Sequence, residues 1–198
     1  MKLLSIVFVF CYLQTTAQFE LSSGYAVNKE YADGIPIQLA CDFKIKNKFY
    51  TKSQIGYKYL HHYNDFVEAT LKYFIAEIHQ TFSYEVVKKN KYILKPNVGF
   101  NYRFYTIKAA MMPPYNTIPQ RAWILFFRNK TIRLNSYDND GTRNETYRVN
   151  NLGFTFQLQN QFRISSKIWL HITPFLEPDY DRIENTGGCY VGIILKKQ

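Results

Sequence analysis

Any chemistry in this chain has to come from a short inventory of side chains. There are four histidines: His61, His62, His79 and His171. Imidazole titrates near neutral pH, pairs with attacking hydroxyls and binds metals. Glu77 stands two residues before His79, and Thr173 two after His171. That spacing puts each pair on one face of a strand. Both faces are polar, and a histidine there ordinarily joins a polar network. No local motif places a nucleophile, a base and an orienting group together. The His61-His62 pair falls at a strand end, where an interface or loop role is favoured over metal binding. Ser136-Tyr137-Asp138-Asn139-Asp140-Gly141 has acids two apart before a glycine, which echoes a calcium loop. Such a loop needs a bidentate Glu six residues after the glycine. Tyr147 stands there, so a tight polar turn is the better reading. Asn129-Lys130-Thr131 and Asn144-Glu145-Thr146 match a glycosylation pattern that is common by chance. No phosphate loop, nucleotide fingerprint or zinc spacing occurs. No catalytic, cofactor-binding or metal residue is therefore assigned, and no cofactor is expected.

The elements that carry these residues alternate with period two. In the stretch Phe74–Thr106 one face holds Phe74, Ala76, Ile78, Gln80, Phe82, Tyr84 and Val86; the other holds Ile75, Glu77, His79, Thr81, Ser83, Glu85 and Val87. After Lys88-Lys89-Asn90-Lys91 the alternation resumes, with Tyr92, Leu94, Pro96, Val98, Phe100, Tyr102 and Phe104 opposite Ile93, Lys95, Asn97, Gly99, Asn101 and Arg103. This is a long hairpin with one apolar and one polar face. Each arm exceeds the roughly 9–11 tilted residues that cross a bilayer.

The same unit repeats along the chain. Strands are predicted at 19–27, 35–45, 49–63, 74–87, 92–106, 123–127, 131–135, 152–164, 167–173 and 189–196. Short turns at 46–48, 88–91, 128–130 and 165–166 alternate with longer loops at 28–34, 61–72, 108–120, 136–147 and 177–188. Residues 65–71 read either as a helical turn or as an early start of the strand that follows. The count is ten antiparallel strands, with eight possible if a weak strand is misread. Short turns at one end and long loops at the other are the asymmetry of transmembrane barrels.

The leader is separate. Lys2, then Leu3 to Leu13, then Thr15-Thr16-Ala17 form a charged region, an apolar region and a small-residue cleavage site. Residues 1–17 are expected to be a cleaved signal peptide, and 18–198 a single barrel domain. The apolar run is too short for a spanning helix. Phe10 before Cys11 does not suit a lipoprotein signal. Cys41 and Cys189 lie on apolar strand faces, beside Leu39 and Phe43 and beside Val191, and two unpaired thiols are favoured over one disulfide. The net charge of +10 is strongly basic. With a signal peptide routing the chain out of the cytoplasm, nucleic acid is not expected; an anionic lipid surface is.

No later stretch approaches a transmembrane helix, so a membrane form must be a closed barrel. Two features favour that form. The polar faces are rich in Gln, Asn, Thr, Ser and Gly, and Glu77, Glu85 and Asp42 could pair with Lys95, Arg103 and Lys44 across a lumen. The apolar faces are very aromatic, as membrane interfaces are. Gln80, Asn160 and Pro96 on the apolar face count the other way.

These hairpins, the signal ending Thr16-Ala17-Gln18 and the closing strand Tyr190-Val191-Gly192-Ile193-Ile194-Leu195-Lys196 resemble the small outer-membrane β-barrel family of Gram-negative bacteria. The resemblance spans about residues 18–198. It implies an integral outer-membrane barrel, embedded in outer-membrane lipid and inserted by the barrel-assembly machinery. Its role would be structural or interactive, or a narrow, porin-like passage for small solutes, with the solute or protein ligand unnamed. Some barrels of this class hydrolyse lipid, which makes a lipid-directed hydrolase the alternative. A soluble secreted lipid-binding barrel is a further alternative, and requires the apolar face inside.

Overall fold

The computed structural model describes residues 18–28, 32–64, 69–111, 132–137, 143–178 and 185–196. The leader, the predicted strand at 123–127 and positions 138–141 of the calcium-loop echo lie outside them. The β segments are β1 (Gln18–Asn28), β2 (Asp33–Lys46), β3 (Phe49–Asn64), β4 (Ala69–Tyr84), β5 (Val87–Lys89), β6 (Tyr92–Met111), β7 (Ile132–Tyr137), β8 (Arg143–Arg163), β9 (Ile168–Glu177) and β10 (Thr186–Lys196).

Eight of these close a ring. The antiparallel order is β1-β2-β3-β4-β6-β8-β9-β10, and β10 returns to β1 along its whole length, from Gln18 opposite Lys196 to Asn28 opposite Thr186. The expectation of ten staves is corrected to eight. β5 continues β4 past a bulge and pairs only with β6. β7 pairs only with β8, so the predicted strand at 131–135 is a strand but not a stave. β8 is 21 residues long and outruns β9, whose highest pair is Leu176 with Phe156. The edge left bare above, Arg143–Arg148, is the one β7 covers.

Several predicted loops are shorter than expected because strands run through their ends. β3 and β4 leave only 65–68 between them, and Ala69–Leu71 is strand rather than helical turn. β9 reaches Glu177, and β10 starts at Thr186. The turn after β2 is tight, with Asn47 at φ 48°, a left-handed conformation that Asn tolerates.

The two faces lie as the membrane reading requires. Phe19, Leu21, Ile37, Leu39, Val98, Phe100, Phe156 and Ile193 point outward and are about half exposed, whereas Lys52, Lys58, Lys95, Arg103 and Gln159 point inward and are at most 1% exposed. Aromatic pairs bracket the outer band. Phe49–Tyr84 and Tyr92–Phe162 stand near the short turns; Tyr59–Phe74 stands near the long connections. Phe49 and Tyr59 share β3, ten residues apart. At about 3.3 Å per residue and a tilt near 40°, that separation spans roughly 25 Å of height, the expected apolar band.

The outward polar residues are satisfied locally. Gln80 accepts from Ser53 Oγ (2.7 Å) and donates to Thr51 Oγ1 (2.6 Å). Pro96 sits where three residues, Tyr84–Val86, face two, Lys95 and Pro96, so the bulge spares its missing N–H a partner. The β8–β9 ladder breaks between Gln157–Phe175 and Asn160–Ile172. Pro174 lies in that gap. Asn160 Nδ2 bridges it, donating to the carbonyls of Leu158 (3.1 Å) and Ile172 (3.3 Å), while Tyr92 Oη donates to its Oδ1 (2.9 Å).

Cys41 and Cys189 are not bridged to each other. They pair across β1 with Phe19 and Tyr25. Six residues of strand put them roughly 20 Å apart along the sheet, far beyond disulfide reach. Replacing residues 112–142 with a short Gly/Ser loop removes β7 but no pair of the closed ring. The shortened protein is expected to keep its β-sheet circular dichroism and to migrate differently unboiled and boiled in detergent gels. Loss of that shift would mean the segment supplies staves.

Candidate functional site

Among the described residues, the lumen is where the chain gathers reactive side chains, and it is filled. Its outer-end cluster is built from five strands. β3 supplies Lys58, β4 supplies Glu77 and His79, β6 supplies Arg103 and Tyr105, β9 supplies Glu177 and β10 supplies Tyr190. Each follows from period-two alternation, which aims all of them inward. Lys58 Nζ donates to Glu77 Oε2 (2.7 Å) and to Glu177 Oε2. Arg103 Nη2 donates to the Glu177 carbonyl (3.1 Å) and lies 3.8 Å from its carboxylate. Arg103 Nη1 donates to Tyr105 Oη (2.9 Å), and Tyr190 Oη donates to Glu77 Oε1 (3.4 Å). Gly56 makes room: a Cβ there would stand 2.7 Å from Glu77 Oε1.

A second cluster sits toward the short turns. Lys52 pairs with Glu20 (2.7 Å), Gln159 donates to Glu20 Oε2 (2.6 Å), and Lys95 pairs with Asp42 (2.8 Å). Tyr50 Oη donates to Glu85 (3.1 Å), and Lys95 Nζ stands 3.5 Å from the centroid of the Tyr50 ring. Between the clusters an amide ladder joins Gln38, Gln54 and Gln157 at 3.1–3.2 Å.

Both ends of this polar interior are closed by apolar side chains. Leu60, Tyr73, Ile75, Tyr105, Phe175 and Tyr190 form a buried cluster toward the long connections. Ile93, Trp169 and Ile194 form another toward the short turns, with Lys196 Nζ 3.7 Å from the centroid of the Trp169 ring.

Two arrangements could support chemistry, and neither is open to it. Glu20, His171 and Thr173 are in line: His171 Nε2 is 3.3 Å from Glu20 Oε1, and Nδ1 is 2.8 Å from Thr173 Oγ1. Carboxylate, imidazole and hydroxyl are the parts of a nucleophilic triad. Thr173 is 1% exposed, however, so no substrate carbonyl can approach its hydroxyl. Glu77, His79 and Glu177 offer ligand atoms within 4.8 Å of one another, and Glu177 Oε1 lacks a hydrogen-bond donor. Lys58 and Arg103 already neutralise both carboxylates, and a divalent cation would have to displace them. The trio is an ion-pair cage.

His79 and His171 face the lumen as expected; His61 and His62 stand at the long-connection end of β3. Of the anticipated lumenal acids and bases, Asp42 pairs with Lys95, not Lys44, which is exposed. Glu77 takes Lys58, and Arg103 takes Glu177. Glu177 was expected in a loop. The alternation His171, Thr173, Phe175, Glu177 was the signal that places it on the lumen face.

Lys58→Met strips the shared cation from two buried carboxylates and is expected to cost about 3–5 kcal/mol in urea unfolding of the barrel in micelles. Adding Glu177→Gln should recover part of that loss. Additive losses would mean that Lys58 and Glu177 are not coupled. Gly56→Val, which drives a side chain into Glu77, should cost about 1–3 kcal/mol in the same titration.

The chain matches no protein-family model and no curated sequence. Solved structures do match its fold. Neisserial surface protein A (NspA) aligns with a TM-score of 0.54 at 9% identity, over 93% of this chain and 98% of that one. Ail, the attachment invasion locus protein of Yersinia pestis, aligns at 0.51 and 9% identity, over 91% and 99%. A major outer membrane protein from Thermus thermophilus aligns at 0.57 and 10% identity, over 91% and 99%. The fold is the closed, antiparallel, eight-stranded barrel of small outer-membrane proteins.

Proposed function

We propose that this chain is an integral outer-membrane barrel with a sealed lumen, whose role is structural or interactive. The observation that carries the reading is the orientation of its two faces: charges and amides inside, a half-exposed aliphatic and aromatic band outside. In water that arrangement would expose an apolar belt to solvent and bury ion pairs at a cost. In a bilayer the belt meets hydrocarbon, and closure satisfies the sheet. The fold shared with NspA and the Thermus protein, a surface protein and an outer membrane protein by name, supports the same location. Export by the leader at 1–17 and insertion by the assembly machinery belong to the proposal. A soluble lipid carrier needs the apolar face inside, which is the reverse of the arrangement found.

Interaction is assigned to the long-connection end, because the lumen has no room for traffic. The apolar clusters at either end and the Lys58–Glu77–Glu177–Arg103 cage between them favour a closed barrel over a solute passage. A hydrolase role fits poorly with a hydroxyl as buried as that of Thr173.

In planar bilayers the purified protein is expected to give no steady conductance above the lipid baseline, while it fractionates with the outer membrane and shifts on boiling. A soluble, unshifted protein would overturn the membrane reading; a stable ohmic conductance would overturn the sealed lumen. Phe100→Arg, on the outer face, should destabilise the barrel in vesicles by about 2–4 kcal/mol. His79→Asn with His171→Asn should change no lipid-hydrolysis signal.

A further inference from the structure

The acids outside the lumen are sorted by end. Of the 15 acids, five (Glu20, Asp42, Glu77, Glu85, Glu177) face the lumen, and the other ten fall in or beside the long connections, within 28–33, 65–68, 112–145 and 178–185. The short-turn end has no exposed acid among the described residues. The acids toward that end, Glu20, Asp42 and Glu85, are all buried. Its turns carry Lys46 and Lys48, then Lys88, Lys89 and Lys91, then Arg163 and Lys167, all exposed.

An apolar groove on the barrel wall begins beside two of these turns. It is lined by Phe49, Phe82, Tyr84, Pro96, Val98 and Leu158. Phe49 directly follows Lys48, and the strand bearing Tyr84 runs through the bulge into Lys88 and Lys89. Phe49 and Tyr84 pack ring against ring at 4.9 Å, forming the floor of the groove at its cationic mouth. The bulge and Pro96 interrupt the regular ladder at this part of the groove lining.

We propose that this rim and groove form a binding site for an anionic glycerophospholipid. The phosphodiester headgroup lies among Lys46, Lys48, Lys88, Lys89 and Lys91, and an acyl chain lies along the groove. The assignment rests on the membrane reading above and adds a lipid class and a position. Two observations are complementary: clustered ammonium groups, of which Lys88 alone among the described residues meets a carboxylate, that of the buried Glu85 (3.8 Å), and an apolar trough running away from them. A free anion or an acidic protein would use the lysines alone. Only an amphiphile uses both parts. Each lysine close to an anionic lipid surface contributes roughly a fivefold preference, screened by salt.

The test is electron paramagnetic resonance on the full barrel reconstituted in phosphatidylcholine bilayers, with trace phosphatidylglycerol or phosphatidylcholine spin-labelled on the acyl chain. The motionally restricted fraction gives the relative association of the two lipids. The expected result is a phosphatidylglycerol preference of roughly fivefold or more at low salt. It should fall to near one in 1 M NaCl and in a variant carrying K46S, K48S, K88S, K89S and K91S. A control carrying K72S and K108S, at the other end, should keep the preference. Equal association in the unmodified protein overturns the proposal, as does a preference that survives salt or the five substitutions. If the quintuple variant does not refold, the salt titration on the unmodified protein still decides. A protein with no motionally restricted lipid at all fails the membrane reading, which is a different outcome.

Discussion

In the proposed bilayer setting one constraint organises this molecule: hydrocarbon offers no hydrogen bonds. A sheet edge left open in a bilayer would strand a row of N–H and C=O groups. The sheet must therefore return on itself, and β10 pairs with β1 over the whole of both strands. The same constraint governs the exceptions. Where a strand proline removes a donor, either a bulge takes the ladder past it, as at Pro96, or a side chain spans the gap, as Asn160 does beside Pro174. Gln80 on the outer face spends its amide on Thr51 and Ser53 of the next strand.

Closure with eight staves leaves an interior only wide enough for side chains. Those side chains must be polar, because the apolar half of each strand faces outward. Their charges must then balance in a space with little water. Lys58 serves two carboxylates, Arg103 serves one of them, and the amide ladder fills the middle. The apolar clusters at the ends isolate this interior. Hydrogen-bonded charges are costly to bury and costlier to unpair, so the network fixes the register of strands whose outer faces meet a fluid solvent that specifies little.

The alternation of long strands was legible residue by residue, and with it the facing of Glu77, His79, Arg103 and Gln159. The turn at Asn47 and the split between short and long connections were legible too. Strand number was not. Ile132–Tyr137 alternates as a stave would, and nothing in its own residues says that the edge it pairs with is the overhang of β8. That overhang is a property of two strands of unequal length, visible only once they are paired. The charge partners were half legible: the face is local, but the partner across a lumen depends on the stagger of the ring. The end clusters were hidden because Leu60, Tyr73 and Ile75 put apolar groups on the face the pattern marks as polar.

The seam between β8 and β9 has a mechanical meaning. Most of the ring pairs by backbone over long continuous runs, which must shear together; the β1–β2 ladder also skips Gly24–Tyr25 opposite Ile35–Pro36, where Ser23 Oγ donates to the Pro36 carbonyl (3.0 Å). At Pro174 the run is cut, and one carboxamide, that of Asn160, holds the two halves in line. A crack needs a place to start, and in a cylinder without edges this is one of two notches. Tension across the wall would open the interrupted ladders, at Pro174 between β8 and β9 and at Pro36 between β1 and β2, before the continuous ones.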